Sequence, residues 1–421
     1  MSAHAGCELL SRLLHPGGPR TTLAELQSLD PDDWGDLLDQ AEHHQITPLL
    51  HRALQEPERR AVVPAAVMGQ LEISYFNTAA GSARIVSQLQ AVLEASRAAG
   101  VPVLVLKGAH LAEVVYGDVT LRPMGDIDLL VKEADLSRAA QVLLGLGYGP
   151  QDTPGAKKDY SAHRHLPPFT RKGAVPIEVH GTIDESGRFR IDAEGLWQRA
   201  KTARIAGVEA RVLGPEDLLL HLCLHTGFQH NFRVPLRQIY DIAATVRHYE
   251  QELDWQAFVR MAEASGLSRV CYYALAAAES LLGVAAPAEA LTALAAGCDE
   301  ATVTVIREYV LLSQSHRAPE GVKDMMQARG TRGRIRSLLR SIFPPPARLR
   351  EIYALAPGSR AVYAYYPVRL WDLLVRRGGF LAQLASRGSE ARVALDLEAK
   401  SLLIRRRLEE KPLRRGEARG R

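Results

Sequence analysis

The apolar positions of this chain change period several times, and each change marks a new part. Over residues 1–98 they recur at helical spacing. Asp30-Pro31-Asp32-Asp33 is an N-cap followed by proline at the first helical position, and Trp34, Leu37, Leu38 and Ala41 fall on one face of the helix it starts. A second helix is predicted over much of 65–98, stopping at Gly100. The run Val101-Pro102-Val103-Leu104-Val105-Leu106 is short, continuous and rich in β-branched residues, as a buried strand requires. A helix from Ala109 to Tyr116 follows, then a loop with Gly117, Pro123 and Gly125. Next come a strand, Asp126-Ile127-Asp128-Leu129-Leu130-Val131, and a helix ending near Gly145-Leu146-Gly147. Residues 162–183 read as two further strands joined at Lys172-Gly173, the second running from Val175 to Ile183. From Pro215-Glu216-Asp217 the period is helical again, past residue 300, until Phe343-Pro344-Pro345-Pro346 interrupts it. No internal repeat is visible at a period of about 20–50 residues.

This order predicts an α+β protein: a mixed sheet with flanking helices, embedded between N- and C-terminal helical regions. The units divide as a helical segment at 1–98, an α/β core at 99–213, a helical region at 214–328 and a basic helical region at 329–421. The length of 421 residues agrees, since units of about 150 residues imply two or three of them. With 47% hydrophobic and 24% charged residues the composition excludes a disordered tail or a fibre. The N-terminal stretch lacks the order of a signal peptide, and no apolar run reaches the roughly 18 residues that cross a bilayer, so a cytoplasmic protein is expected. Cys7, Cys223, Cys271 and Cys298 are widely spaced, which argues for reduced core thiols and against a disulfide framework or zinc knuckle.

Charge divides the chain in two. Residues 329–421 carry 22 Lys and Arg against 8 Asp and Glu, whereas residues 1–328 carry 30 against 40. Such a basic segment either meets a polyanion such as RNA or docks on the acidic body. Its stretch 361–383, with Tyr363, Tyr365, Tyr366 and Trp371, admits RNA or membrane contact as well as simple burial.

The candidate chemistry is concentrated in the α/β core. Asp126 and Asp128 alternate along a strand, so both carboxylates share a face about 6.6 Å apart and can bind one hard cation or bracket two. The alternative is a pair of acids facing water. Lys107-Gly108 stands where a strand meets a helix, a place where backbone N–H groups and a lysine can hold phosphate oxygens. Arg122 can clamp a polyphosphate, or be an ordinary ion-pairing arginine. In Ile177-Glu178-Val179-His180 the two apolar residues face one way and Glu178 and His180 the other, so Glu178 can join the acid pair as a third carboxylate. His163 and His165, with His180 and His225, are candidates for an acceptor pocket. His221 and His225, four residues apart, have a spacing that can also bind zinc, but no Glu-bearing motif accompanies them and no cysteine lies nearby on that face.

Taken together, Leu106-Lys107-Gly108-Ala109-His110-Leu111, Arg122-Pro123-Met124-Gly125-Asp126-Ile127-Asp128-Leu129-Leu130-Val131, Gly147-Tyr148 and Ile177-Glu178-Val179-His180 resemble the uncharacterised nucleotidyltransferase family of the DNA polymerase β superfamily. The likeness extends to Leu218–Ile242 and covers most of residues 35–290. It implies a polymerase-β-like core in which Gly108 opens the nucleotide site, Asp126 and Asp128 are paired metal ligands and Glu178 is the third acid. The cofactor would be two Mg2+ ions, with Mn2+ as the alternative. The implied reaction moves a nucleoside monophosphate from an NTP to a hydroxyl of a small molecule. An RNA or protein acceptor and a non-catalytic nucleotide-binding scaffold are the competing readings. The chain departs from the superfamily at Lys107-Gly108-Ala109, which offers no hydroxyl to a phosphate, and in the 17 residues between Gly108 and Asp126.

Overall fold

The computed structural model describes residues 3–15, 20–151, 165–184, 186–313, 343–353, 355–356, 359–372 and 390–409. Its first part is helical: α1 (Ala3–Leu13), α2 (Leu23–Gln27), α3 (Pro31–His43), α4 (Thr47–Leu54), α5 (Pro57–Arg60) and α6 (Ala65–Ala98). Helix α3 starts as its cap requires. The Asp30 carboxylate accepts from the Asp33 N–H at 2.8 Å, Asp33 accepts in return from the Asp30 N–H at 3.3 Å, and Trp34, Leu37 and Ala41 are buried. Helix α6 closes at Gly100, whose φ of +63° only glycine adopts without cost.

The sheet segments follow as β1 (Leu104–Val105), β2 (Ile127–Leu130), β3 (Gly149–Pro150), β4 (Phe169–Thr170), β5 (Ile177–His180), β6 (Lys201–Ile205) and β7 (Val208–Val212). Between them lie α7 (Lys107–His110, continued by a wide helical turn over Leu111–Val115), α8 (Leu136–Gly145) and α9 (Ala193–Arg199). The strands form one mixed sheet in the order β3-β4-β5-β2-β1-β7-β6, with β2–β5 and β1–β7 parallel and the other pairs antiparallel. The fold is therefore α+β with a mixed sheet and flanking helices, consistent with a nucleotidyltransferase-like core.

Two local expectations need correction, and the structure adds one element. Strand β1 is only two residues long, because the Val101 N–H is spent closing α6 on the Ser96 carbonyl and Pro102 has no N–H to give. Asp126 stands one residue before the β2 ladder instead of within it. The β6–β7 hairpin has no counterpart in the sequence reading, since its turn, Ala206-Gly207 with φ of +51° and +74°, lacks the Asn or Asp that usually announces such a turn.

Alternation along the strands divides the core. Val105, Ile127, Leu129, Val131 and Val179 face the second half of α6 and helix α8. Leu104, Leu106 and Leu130 face the opposite side, where they join a core shared by the N-terminal helices and the C-terminal ones. Asp128, two residues before Leu130 and on the same face, therefore looks toward the C-terminal helices. These are α10 (Pro215–Cys223, extended by a wide turn over Leu224–Gln229), α11 (Leu236–His248), α12 (Trp255–Ser265), α13 (Ser268–Leu282), α14 (Ala288–Leu294) and α15 (Glu300–Leu312), followed by α16 (Pro346–Ile352) and α17 (Glu390–Glu409).

Helix α17 belongs to the basic region, and it docks on the body. Lys400 donates to Glu308 at 2.7 Å, Arg407 lies 3.5 Å from Asp299, and the Asn231 amide donates to the Ser401 carbonyl at 2.9 Å. Tyr363 and Trp371 are exposed, while residues 373–383 lie outside the described residues. The four cysteines are free, three of them buried, and burial followed by the charge of Glu8 pushes the Cys7 thiol up to about 12. Among the described residues no helix is long and apolar enough to cross a membrane.

Candidate functional site

The site is built by the register of two parallel strands. Asp128 pairs with Glu178 and Leu130 with His180 across β2 and β5, so the three polar side chains share the face that Ile177 and Val179 avoid. One ligand atom from each of Asp128, Glu178 and His180 lies within 4.8 Å of the others. The His180 Nε2 is 3.0 Å from Asp128 Oδ1 and 3.7 Å from Glu178 Oε2. Asp128 and His180 are buried, and Glu178 is half-buried.

Lys107 completes the cluster from the first position of α7, just after β1. Its backbone is held at φ +37°, a left-handed conformation that costs a non-glycine residue about 1 kcal/mol or more, and its ammonium donates to Asp128 Oδ1 at 2.9 Å. Burial alone would raise the Asp128 carboxyl. Lys107 and His180 outweigh it and hold that carboxyl well below the usual carboxylate range. Glu178 shifts the other way, raised first by burial and then by the negative charge of Asp128. Asp126 is exposed at the rim and is likewise raised by partial desolvation and by Asp128. The three ligand atoms that converge do not include one from Asp126.

The other residues singled out in the sequence have distinct places. Arg122 is buried, and its Nε and Nη2 donate to the two oxygens of Asp241 on α11, both at 2.9 Å. The Tyr116 hydroxyl donates to the same carboxylate at 2.7 Å, and Arg237 lies 3.6 Å from it. Burial would raise the Asp241 carboxyl, but the two guanidiniums hold it low. Gly108 is buried under this network: a Cβ there would lie 3.1 Å from Arg122 Nη1 and 3.3 Å from Met124 Cγ. The loop that delivers Asp126 is thus pinned from both sides, by the glycine turn and by α11.

His165 is exposed and pairs with His180 through the backbone, and His163 lies outside the described residues. His225 has its Nδ1 2.9 Å from Gln229 Oε1 and its ring against His230, with centroids 4.3 Å apart. Its neighbour on α10, His221, is buried with no partner for Nδ1, and it is pushed down to about 3 by burial and by the positive charge of Lys107. The α10 histidines therefore form a neutral wall beside Lys107. Sequence reasoning placed His180 in an acceptor pocket, and the alternation it shares with Glu178 was the signal for its place beside Asp128. Asp241 carried no such signal.

Two carboxylates and an imidazole converging beside a lysine suit a divalent cation and a phosphorylated substrate, the setting of metal-assisted phosphoryl transfer. The chain belongs to the family described as uncharacterised nucleotidyltransferase, which matches residues 30–283. Comparison with curated proteins and with solved structures gives no match. The matched span contains Lys107, Asp126, Asp128, Glu178, His180, His221 and Asp241.

Proposed function

We propose that this protein transfers a nucleoside monophosphate from an NTP to a hydroxyl of a small molecule of antibiotic or natural-product type, in a reaction that needs a divalent cation. The observation that carries the reading is the register Asp128↔Glu178 on adjacent parallel strands, with Lys107 on the Asp128 carboxylate, in a chain of this family. Asp128 and Glu178 would hold Mg2+, or Mn2+ as the alternative, with Asp126 at the rim as a further carboxylate for a second ion. When bound, the cation neutralises charge developing on the transferring phosphoryl group. Lys107, at the Gly108 turn, meets the polyphosphate, and Glu178, with its raised carboxyl, is suited to take the acceptor proton. The acceptor oxygen bonds to the α-phosphorus, and the bond to the leaving pyrophosphate breaks. Arg122 supports the turn through Asp241, and His225 stands on the wall next to Lys107 as a candidate acceptor contact.

The docking of α17 favours the small acceptor over RNA, because Lys400 and Arg407 already meet Glu308 and Asp299 of the body. Incubating the protein with each α-labelled NTP and a divalent cation, once with a metabolite extract and once with cellular RNA, tests the acceptor. Label is expected in the small-molecule fraction. Label confined to RNA would overturn that acceptor, and consumption of no NTP under any condition would leave the scaffold reading in its place.

A further inference from the structure

The third side chain of the cluster changes which cation the site suits. Ligand atoms about 2.1 Å from one ion and separated by about 90–110° lie about 3.0–3.4 Å from each other. The His180 Nε2 stands 3.0 Å and 3.7 Å from an oxygen of Asp128 and of Glu178, so small side-chain rotations bring all three onto one ion. We infer that His180 binds the metal directly through Nε2, giving a one-nitrogen, two-carboxylate site that prefers a nitrogen-accepting first-row cation such as Mn2+ to Mg2+. This rests on the reading of the cluster as the metal site of the transfer reaction.

Three features support direct ligation over a merely supporting role. First, His180 is fixed by the strand: it shares a register row with Leu130 and is buried, so its ring cannot swing into solvent. Second, Nε2 is the ring nitrogen turned toward Asp128, 3.0 Å from its Oδ1, so a lone pair on that nitrogen points into the cluster. Third, the ring lies near oxygens of both carboxylates at once, whereas a histidine that only orients one ligand needs to reach only that ligand. Magnesium favours an all-oxygen, largely hydrated shell and gains little from an imidazole, while the divalent first-row transition ions gain more from it, Mn2+ the least among them.

The test uses the intact chain and Mn2+ as the probe. Mn2+ titration followed by electron paramagnetic resonance, with Mg2+ as competitor, should give a Mn2+ preference of tenfold or more, and pulsed resonance should show coupling to a directly bound nitrogen. In His180→Asp, which keeps a ligand but makes it oxygen, the nitrogen coupling should vanish and the Mn2+ preference should shrink severalfold. In His180→Gln the affinity for Mn2+ should fall more than that for Mg2+. Bound Mn2+ with no nitrogen coupling in the wild-type chain overturns the inference while leaving a carboxylate-only metal site standing. Binding of neither cation overturns both the inference and the reading on which it rests.

Discussion

Replacing Asp241 with leucine removes the acceptor on which two buried guanidiniums and a tyrosine hydroxyl converge. The carboxylate is buried, receives Arg122 at 2.9 Å through both oxygens and Tyr116 at 2.7 Å, and has Arg237 at 3.6 Å. Breaking a buried ion pair by deleting one partner costs about 3–5 kcal/mol, because the other charge is left without compensation. Here Arg122 is left without its partner and Arg237 loses its neighbouring anion, which places Asp241→Leu toward the upper end. That is a large part of a typical total stability of about 5–15 kcal/mol. The double variant Arg122→Met/Asp241→Leu removes both members of the main pair and should recover at least half of the loss. Urea unfolding at neutral pH, followed by circular dichroism, measures both. A single-variant cost below about 1 kcal/mol, or a double variant as unstable as the sum of the two singles, would refute the claim that this pair fastens the Asp126 loop to α11.

Further predictions concern pH, the lysine and the glycine turn. His44, His110 and His221 are kept neutral by burial, at about 4, 3 and 3, below the usual 6.5 of the unfolded chain. The unfolded chain therefore takes up protons first, so stability is full above pH 6.5 and falls with pH by about 1.4 kcal/mol per unit for each histidine. Between pH 7.5 and 5.5 the three together should cost about 4 kcal/mol in urea unfolding, and a flat profile would contradict the burial assigned to them. Lys107→Met should tighten Mn2+ binding severalfold, by removing the cation that already sits on Asp128, yet raise the KM for NTP; weaker metal binding would contradict this role. Gly108→Ala forces Arg122 Nη1 and Met124 to give way by a few tenths of an ångström, and should lower stability by about 1–3 kcal/mol in thermal unfolding.

Local rules carried much of the fold. Asp30-Pro31 announces α3 because capping is decided within four residues, and the alternation in Ile177-Glu178-Val179-His180 places two polar side chains on one face because a strand repeats every two residues. The same alternation could not say what that face meets, and the sheet order that sets β5 beside β2 is a long-range choice. The Arg122–Asp241 pair spans 119 residues, and nothing around Tyr240-Asp241-Ile242 distinguishes a buried acceptor from an exposed helical acid. The β6–β7 hairpin escaped notice for a local reason. Ala206 at its turn takes a conformation that alanine seldom adopts, and Glu113 accepts from its N–H at 2.8 Å and 3.0 Å, so a distant side chain stabilises what the turn residues alone do not specify.

The most direct test of the central claim is the transfer of label from an α-labelled NTP, with pyrophosphate release followed in parallel, by the wild-type chain and by Asp128→Asn. The substitution keeps the size of the side chain and an acceptor for Lys107 and His180, but removes the negative charge that a cation needs. The account predicts equal amounts of transferred label and pyrophosphate from the wild-type chain, and a loss of at least a hundredfold in the variant with its fold intact by circular dichroism. A folded Asp128→Asn protein that transfers label at the wild-type rate would contradict it.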